Sequence, residues 1–169
     1  MRDALLRLLQ LALFMAPAYC ANMAAPFARY WTGWNRPINE AWFGSHKTVI
    51  GFLAGVLAAL LATVTLHWID TPFSLISADH WLALGLCYGF GAMGGDTLKS
   101  FFKRRAGLAP GASWVPFDQL DFAIGALLMT AWSADLRALD VLAILALTFV
   151  GHVAINRLAF HAGIKDDPW

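Results

Sequence analysis

Five stretches of the chain run almost without charge, approximately from Leu5 to Ala25, Thr48 to Trp68, Trp81 to Gly95, Phe117 to Trp132 and Val141 to Leu158. A bilayer core asks for about 20 mostly apolar residues per helix, because hydrocarbon offers no partner to an unpaired backbone amide or carbonyl. Hydrophobic residues make up 59% of the 169 and charged ones 14%, and the mean hydropathy of +0.59 lies beyond that of a soluble domain. The expected fold class is therefore all-α: a polytopic integral membrane helical bundle with about five transmembrane helices, one domain over residues 1–169. The third and fourth stretches are short for full crossings, so their polar ends are expected to continue as helix at the membrane surface.

The opening MRDALLRLLQLALFMAPAYCANMAA has the outline of a secretory signal, but Asp3, Arg7, Pro17 and Asn22 interrupt it, and a retained first helix is the expectation. Basic residues mark cytoplasmic loops. Arg29, Arg36 and Lys47 follow the first span, and Lys99, Lys103, Arg104 and Arg105 follow the third. The second loop has Asp70 and Asp79 without Lys or Arg, and the fourth has Asp135, Arg137 and Asp140. The N-terminus is thus expected outside and the C-terminus inside, with Arg2 and Arg7 pulling the other way. Trp68, Trp81 and Trp132 fall near span ends, where half-polar rings anchor. Cys20 and Cys87 sit in apolar runs without metal-ligand spacing and read as small buried hydrophobes. Gly85, Gly89, Gly91, Gly94 and Gly95 suit close helix packing better than a hinge. A net charge of +1 supplies no global basic field, so nucleic acid is not an expected partner.

The charge is concentrated in residues 94–121, GGDTLKSFFKRRAGLAPGASWVPFDQLD, between the third and fourth spans. If helix continues through Arg105, Asp96, Lys99, Ser100 and Lys103 fall at i, i+3, i+4 and i+7 and share one face. Gly107, Pro110, Gly111 and Pro116 then break the helix and return the chain to the bilayer. There Asp118 and Asp121 stand three apart at a helix start. Plainer roles exist for each part. Lys103, Arg104 and Arg105 suit a headgroup anchor, an acid at a helix start complements the dipole, and Asp96 can pair with Lys99 or Arg104. An acid at the end of an apolar span is nevertheless costly unless paired or functional. Taken together the set suits phosphate chemistry. Carboxylates hold Mg²⁺, which bridges to substrate phosphates, while Lys and Arg offset the remaining charge. Phosphoryl or nucleotidyl transfer needs alignment and charge stabilisation more than a nucleophilic triad, and the sequence offers no such triad.

The stretch GDTLKSFFKRRAGLAPGASWVPFDQLD resembles the core of the CDP-archaeol synthases, membrane CTP-dependent cytidylyltransferases of lipid synthesis with bacterial relatives. More distantly it is similar to the phosphatidate cytidylyltransferase signature. PAYCANMAAP, RPIN, FGSHKTVIGF and the closing HVAINRLAFHAGIKDDPW extend the resemblance over nearly the whole chain. The resemblance implies five transmembrane helices, an outside N-terminus, and cytidylyl transfer from CTP to a lipid phosphate with Mg²⁺ as cofactor and pyrophosphate as the other product. It also implies a site on the cytoplasmic face of a bacterial or archaeal cell membrane. Carried over by position, Asp96, Asp118 and Asp121 are the candidate metal ligands, with Lys99 joining them as catalytic. Ser100, Lys103 and Arg104 are candidate nucleotide contacts, as are Lys47 and Thr48 in the first loop; Lys99 would also meet phosphate. Asn22 and Asn156 match polar positions in the first and last spans. No lipid-binding residue is indicated. The first loop, NRPINEAWFGSHKT, departs from the family pattern, and Ile50 stands where the family often has arginine.

Two other functions are compatible with the residues alone. One is a different Mg²⁺-dependent lipid phosphotransferase, which would leave a nucleoside diphosphate. The other is a non-catalytic small membrane transporter or assembly protein whose charged stretch only anchors it. On the last span of such a bundle, His152 and Asn156 would lie one turn apart, suited equally to an interhelical hydrogen bond and to a substrate contact.

Overall fold

A computed structural model describes residues 2–69, 75, 78–109, 112–161 and 163. Asp70, Pro110, Gly111 and the closing segment from Ile164 onward, on which expectations above fell, lie outside the described residues. The helices are α1 (Arg2–Ala24), α2 (Glu40–Phe43), α3 (Val49–Ile69), α4 (Trp81–Arg105), α5 (Phe117–Thr130) and α6 (Ala138–His161). Among the described residues there is no strand, only an isolated bridge between Pro37 and Thr48. Among the described residues three segments are long and apolar enough to cross a membrane: Arg2–Tyr30, Val49–Ile69 and Ala138–Leu158. Helices α4 and α5 run between the same two ends; α4 carries charge in its last turns and α5 has only 14 residues. As expected, α4 continues past Gly95 to Arg105.

The five long helices alternate in direction. Glycines bring α4 against both neighbours, with Gly85 beside Leu60 and Gly89 beside Val56 on α3, and Gly91 and Gly95 beside Gly125 and Asp121 on α5. A Cβ added at Gly125 would lie 2.2 Å from the carbonyl oxygen of Gly91, so these two backbones touch. Close backbone approach is the usual way for helices to gain packing in lipid, where no hydrophobic force drives them together. Gly94 meets nothing and takes no part.

The core is a cluster that includes Leu11, Phe14, Met15, Ala18 and Ala21 of α1, Leu84, Tyr88, Ala92 and Met93 of α4, and Phe122, Ala123 and Ala126 of α5. The first helix is thus an integral part of the bundle. Phe14 meets Tyr88 edge to face with ring centroids 5.6 Å apart. Apolar residues also cover the outside, including Leu53, Leu57, Leu61, Leu128, Leu142 and Val150, which suits a surface bathed in hydrocarbon. Cys20 is exposed and Cys87 intermediate, against the expectation that both are buried. An apolar residue of a membrane helix need not face inward, since lipid is as apolar as the core.

Two polar ties join α1 to α6. Arg7 grips Asp140 with Nε to Oδ1 at 3.0 Å and Nη2 to Oδ2 at 2.6 Å, and the Tyr19 and Thr148 hydroxyls are 2.9 Å apart. Arg7, which pulled against the expected orientation, is held by an acid in the first turn of α6, at the end of the bundle opposite the basic loops.

Candidate active site

At the end of the bundle that carries the basic loops, the first loop folds back on itself. The Ile38 amide donates to the Lys47 carbonyl at 2.8 Å and the Val49 amide to the Arg36 carbonyl at 3.0 Å, closing residues 36–49 into a compact turn. Within it Asn39 caps α2, its Oδ1 accepting from the Trp42 amide at 3.1 Å. Trp42 and Phe43 then pack on Phe101 of α4, with centroids 6.0 and 6.4 Å apart. These contacts carry Lys47 across to α4, where its ammonium hydrogen-bonds to Asp96 Oδ2.

Asp96 opens a continuous charged network. Lys99 Nζ lies 3.4 Å from Asp96 Oδ1, 2.9 Å from Asp118 Oδ1 and 3.0 Å from Asp121 Oδ2. Three carboxylates from two helices thus surround one ammonium. The arrangement follows from the glycine contact: with Gly95 against the Asp121 carbonyl, the next turns of α4 and α5 stand side by side. Burial opposes the charge on Lys99, but Asp121 and Asp96 more than offset it and hold the amine above the usual lysine range. Lys103 is buried and donates to both Asp118 oxygens at 3.0 Å and to the Ala112 carbonyl. Asp118 Oδ2 also accepts from the Trp114 amide at 2.5 Å. Lys103 and Asp118 therefore clasp the far turn as well as joining the cluster.

Asp121 is distinctive. Its side chain is only 4% exposed, its Oδ1 accepts from the Phe122 amide at 2.5 Å, and its Oδ2 has no hydrogen-bond partner among the described residues. Lys99 is close enough to Oδ2 for ion pairing but not aligned to hydrogen-bond with it. Burial and the neighbouring Asp96 push the Asp121 carboxyl up to about 7. A buried carboxyl oxygen held by an ion pair alone, beside two further carboxylates, belongs to a donor set whose hard oxygens suit Mg²⁺. Among the described residues no three His, Cys, Asp or Glu side chains stand close enough to hold an ion by themselves; the ammonium spaces them. The chemistry of the set fits the cation, and Lys99 takes the central place.

The other candidate residues divide. Thr48 Oγ1 accepts from the Gly51 amide at 3.2 Å, which leaves its hydroxyl proton available. Ser100 donates its only hydroxyl proton to the Asp96 carbonyl at 2.9 Å and is buried, so it braces α4 and has no donor left for a phosphate. Arg104 Nη2 turns to the Ala109 carbonyl at 3.0 Å, away from the three acids. His152 Nδ1 and Asn156 Nδ2 are 3.1 Å apart on α6, and the His152 ring lies near that of Phe122.

Beside the network is a cavity of about 460 Å³ between the end of α1, the first loop, α3 and α4. Lys47, Thr48 and Asp96 line it, joined by Asn22, Arg29, Asn35 and Thr97, with Ala25, Phe52 and Met93 on the apolar side. Arg29, Asn35 and Thr97 carried no functional expectation. Arg29 read only as a loop charge, and Asn35 and Thr97 were not singled out, because nothing in the sequence brings residues of the first loop to the middle of the chain. Asp96 is the acid shared by cavity and cluster.

Comparison with known proteins identifies the family. A CarS-like CDP-archaeol synthase family model matches residues 4–169. The chain is 33% identical to the CDP-archaeol synthase of Methanospirillum hungatei, covering 92% of this chain and 100% of that one. It is 36% identical to that of Haloarcula marismortui over 92% and 93%, and 40% identical to that of Natronomonas pharaonis over 77% and 69%. A solved structure described as an intramembrane enzyme for archaeal membrane lipid biosynthesis superposes with a TM-score of 0.76 at 28% identity, over 88% of this chain and 94% of that one. The apolar helices, the charged cluster at one end of the bundle and these likenesses lead to one conclusion: the chain is an integral membrane protein that belongs to the CDP-archaeol synthase family.

Proposed function

We propose that the protein is a CTP-dependent cytidylyltransferase that joins the cytidylyl group of CTP to a membrane lipid phosphate, giving a CDP-activated lipid and pyrophosphate. The observation that carries this reading is the convergence of Asp96, Asp118 and Asp121 on one point beside a polar cavity of nucleotide size. The name its relatives share points to an archaeol-type diether phosphate as the lipid. The positive-inside bias of the loops supports a reaction on the cytoplasmic face, with residues 94–121 as its core within a single domain.

Chemically, an oxygen of the lipid phosphate attacks the α-phosphorus of CTP, the bond to the α,β-bridging oxygen breaks, and that oxygen leaves with pyrophosphate. The attacking phosphate is already anionic at neutral pH, so no side chain has to remove a proton. Alignment and charge compensation carry the catalysis. Asp96, Asp118 and Asp121 would hold Mg²⁺, which when bound neutralises and orients the phosphates. Lys47 stands at the border between cavity and cluster, and with Thr48 it is positioned to meet the triphosphate. Lys99 and Lys103 supply positive charge where the pyrophosphate separates. Membrane lipid enters laterally between helices whose outer faces are apolar.

The test is formation of labelled CDP-lipid from CTP by Asp121→Asn, offered both the archaeal diether phosphate and phosphatidate. Loss of turnover by about 100-fold or more is expected, since the carboxylate acts directly on the reacting charges. Near-normal turnover in folded protein would remove Asp121 from the mechanism. Product on phosphatidate alone would replace the diether assignment. A nucleoside diphosphate in place of pyrophosphate would point to a phosphotransferase.

A further inference from the structure

The three acids of the cluster are matched by three ammonium groups, Lys47, Lys99 and Lys103, each bonded or ion-paired to at least one of them. The formal charges of the site therefore cancel with neither metal nor nucleotide present. Lys99 alone reaches all three carboxylates and stands at their centre, in the place a cation bridging them would take. Its side chain is 14% exposed and that of Asp121 is 4% exposed, so water compensates neither group well. Asp121 Oδ2 points toward this centre and lacks an aligned donor.

We propose that Lys99 is the resident counter-cation of the acid cluster in the nucleotide-free protein, and that a divalent ion enters the cluster only together with a polyphosphate that draws the Lys99 ammonium off the carboxylates. A bare divalent ion meets a cluster whose centre is filled and whose acids are each already paired with an ammonium, and displacing Lys99 would leave a buried ammonium without partners, which is costly. A polyphosphate arriving from the cavity side offers that ammonium new anionic oxygens. The displacement needs no backbone movement, because the four-carbon stem of lysine can re-aim its terminal group. Lys99 is thus a positioning residue for metal entry as well as a phosphate contact, and the identity of the polyphosphate as CTP rests on the function proposed above.

The experiment titrates Mn²⁺, an oxygen-seeking ion visible by electron paramagnetic resonance, onto the full-length protein in nanodiscs, with and without α,β-methylene CTP. Wild type is expected to immobilise Mn²⁺ only when the analogue is present. Lys99→Met is expected to bind Mn²⁺ without nucleotide about tenfold or more tighter than wild type, because three carboxylates then face two ammoniums, and adding Asp121→Asn should abolish that gain. Nucleotide-independent Mn²⁺ binding by wild type with the affinity of the Met variant overturns the proposal. Should the Met variant fail to fold, the wild-type titrations decide alone: equal Mn²⁺ affinity with and without the analogue overturns the counter-cation role, and dependence on the analogue supports it. CDP-lipid formation is measured on the same preparation. A wild type that makes CDP-lipid yet binds Mn²⁺ without nucleotide removes the role of Lys99 and leaves the cytidylyltransferase reading standing. Analogue-dependent binding without any CDP-lipid formation supports Lys99 and removes that reading.

Discussion

Gly95 of α4 lies directly against the backbone of Asp121 on α5, so close that a Cβ at residue 95 would come within 2.3 Å of the Asp121 carbonyl oxygen. One missing side chain thus sets the distance between the helix that carries Asp96 and Lys99 and the helix that carries Asp118 and Asp121. Gly95→Ala cannot be absorbed by a rotamer change, because the obstruction is backbone. The helices must part, at a stability cost of about 1–3 kcal/mol or more. A displacement of about 1 Å among reacting groups can cost about 100-fold in rate. We expect turnover to fall by that order while Lys47→Asp96 pairing and membrane insertion persist. A Gly95→Ala protein with wild-type kcat and thermal stability would show that the contact does not set the site.

Lys47 and Asp96 are 49 residues apart and directly paired, so the loop and α4 share one charge pair at the cavity wall. Lys47→Met leaves Asp96 with Lys99 alone and removes a cation from the cavity. Charge-assisted hydrogen bonds are worth about 1.5–3 kcal/mol, and KM for CTP is expected to rise about tenfold or more, with a smaller change in KM for the lipid. Steady-state kinetics with each substrate varied in turn checks this. An equal effect on both substrates would count against a nucleotide-side position for Lys47.

The loop is held to α4 by rings as well as by charge. Trp42 and Phe43 both meet Phe101, and aromatic pairs contribute about 0.5–1.5 kcal/mol beyond area burial. Phe101→Ala removes both contacts, together with that of the Arg105 guanidinium 5.1 Å over the Phe101 ring, without touching any acid or lysine of the charged cluster. Backbone amides across residues 36–49 should exchange hydrogen faster while those of α1 and α3 stay protected, and CTP affinity should weaken. Unchanged exchange in that loop would mean that the bridge at Pro37 and Thr48 suffices to fix it.

Arg7 and Asp140 form a two-pronged ion pair far from the reacting end. Since Arg7 keeps partial exposure, solvent reduces its worth, and a double-mutant cycle with Arg7→Met and Asp140→Asn should give a coupling of about 1 kcal/mol in thermal or denaturant stability. Turnover in the folded variants should match wild type. A large loss of activity at full stability would reveal communication between the two ends of the bundle that the contacts do not suggest.

Much of this architecture was readable in advance. The apolar runs located the long helices to within a few residues, except that α4 continues from the end of its run at Gly95 to Arg105 as charged helix, because backbone groups in hydrocarbon have to bond within their own segment. The i, i+3, i+4, i+7 spacing correctly put Asp96, Lys99, Ser100 and Lys103 along one stripe of α4, since helical geometry is local. The same local reasoning could not tell Ser100, which turns its proton back to the Asp96 carbonyl, from Lys99, which reaches across to α5. It also gave no reason for Arg29, Asn35 and Thr97 to share a cavity, and it assigned Arg7 to a loop-charge argument when its partner is Asp140.

By itself the sequence determined that the chain must be a membrane helix bundle with an unusually charged end, and through its motifs to which family it belongs. Only the tertiary structure decided that three acids and three lysines close into one ion-paired network with Lys99 at its centre. Helix formation follows from segment length and composition, which any local stretch reveals. Pairing across 49 residues, and a spacing set by two glycine backbones in contact, arise only when the helices are packed together.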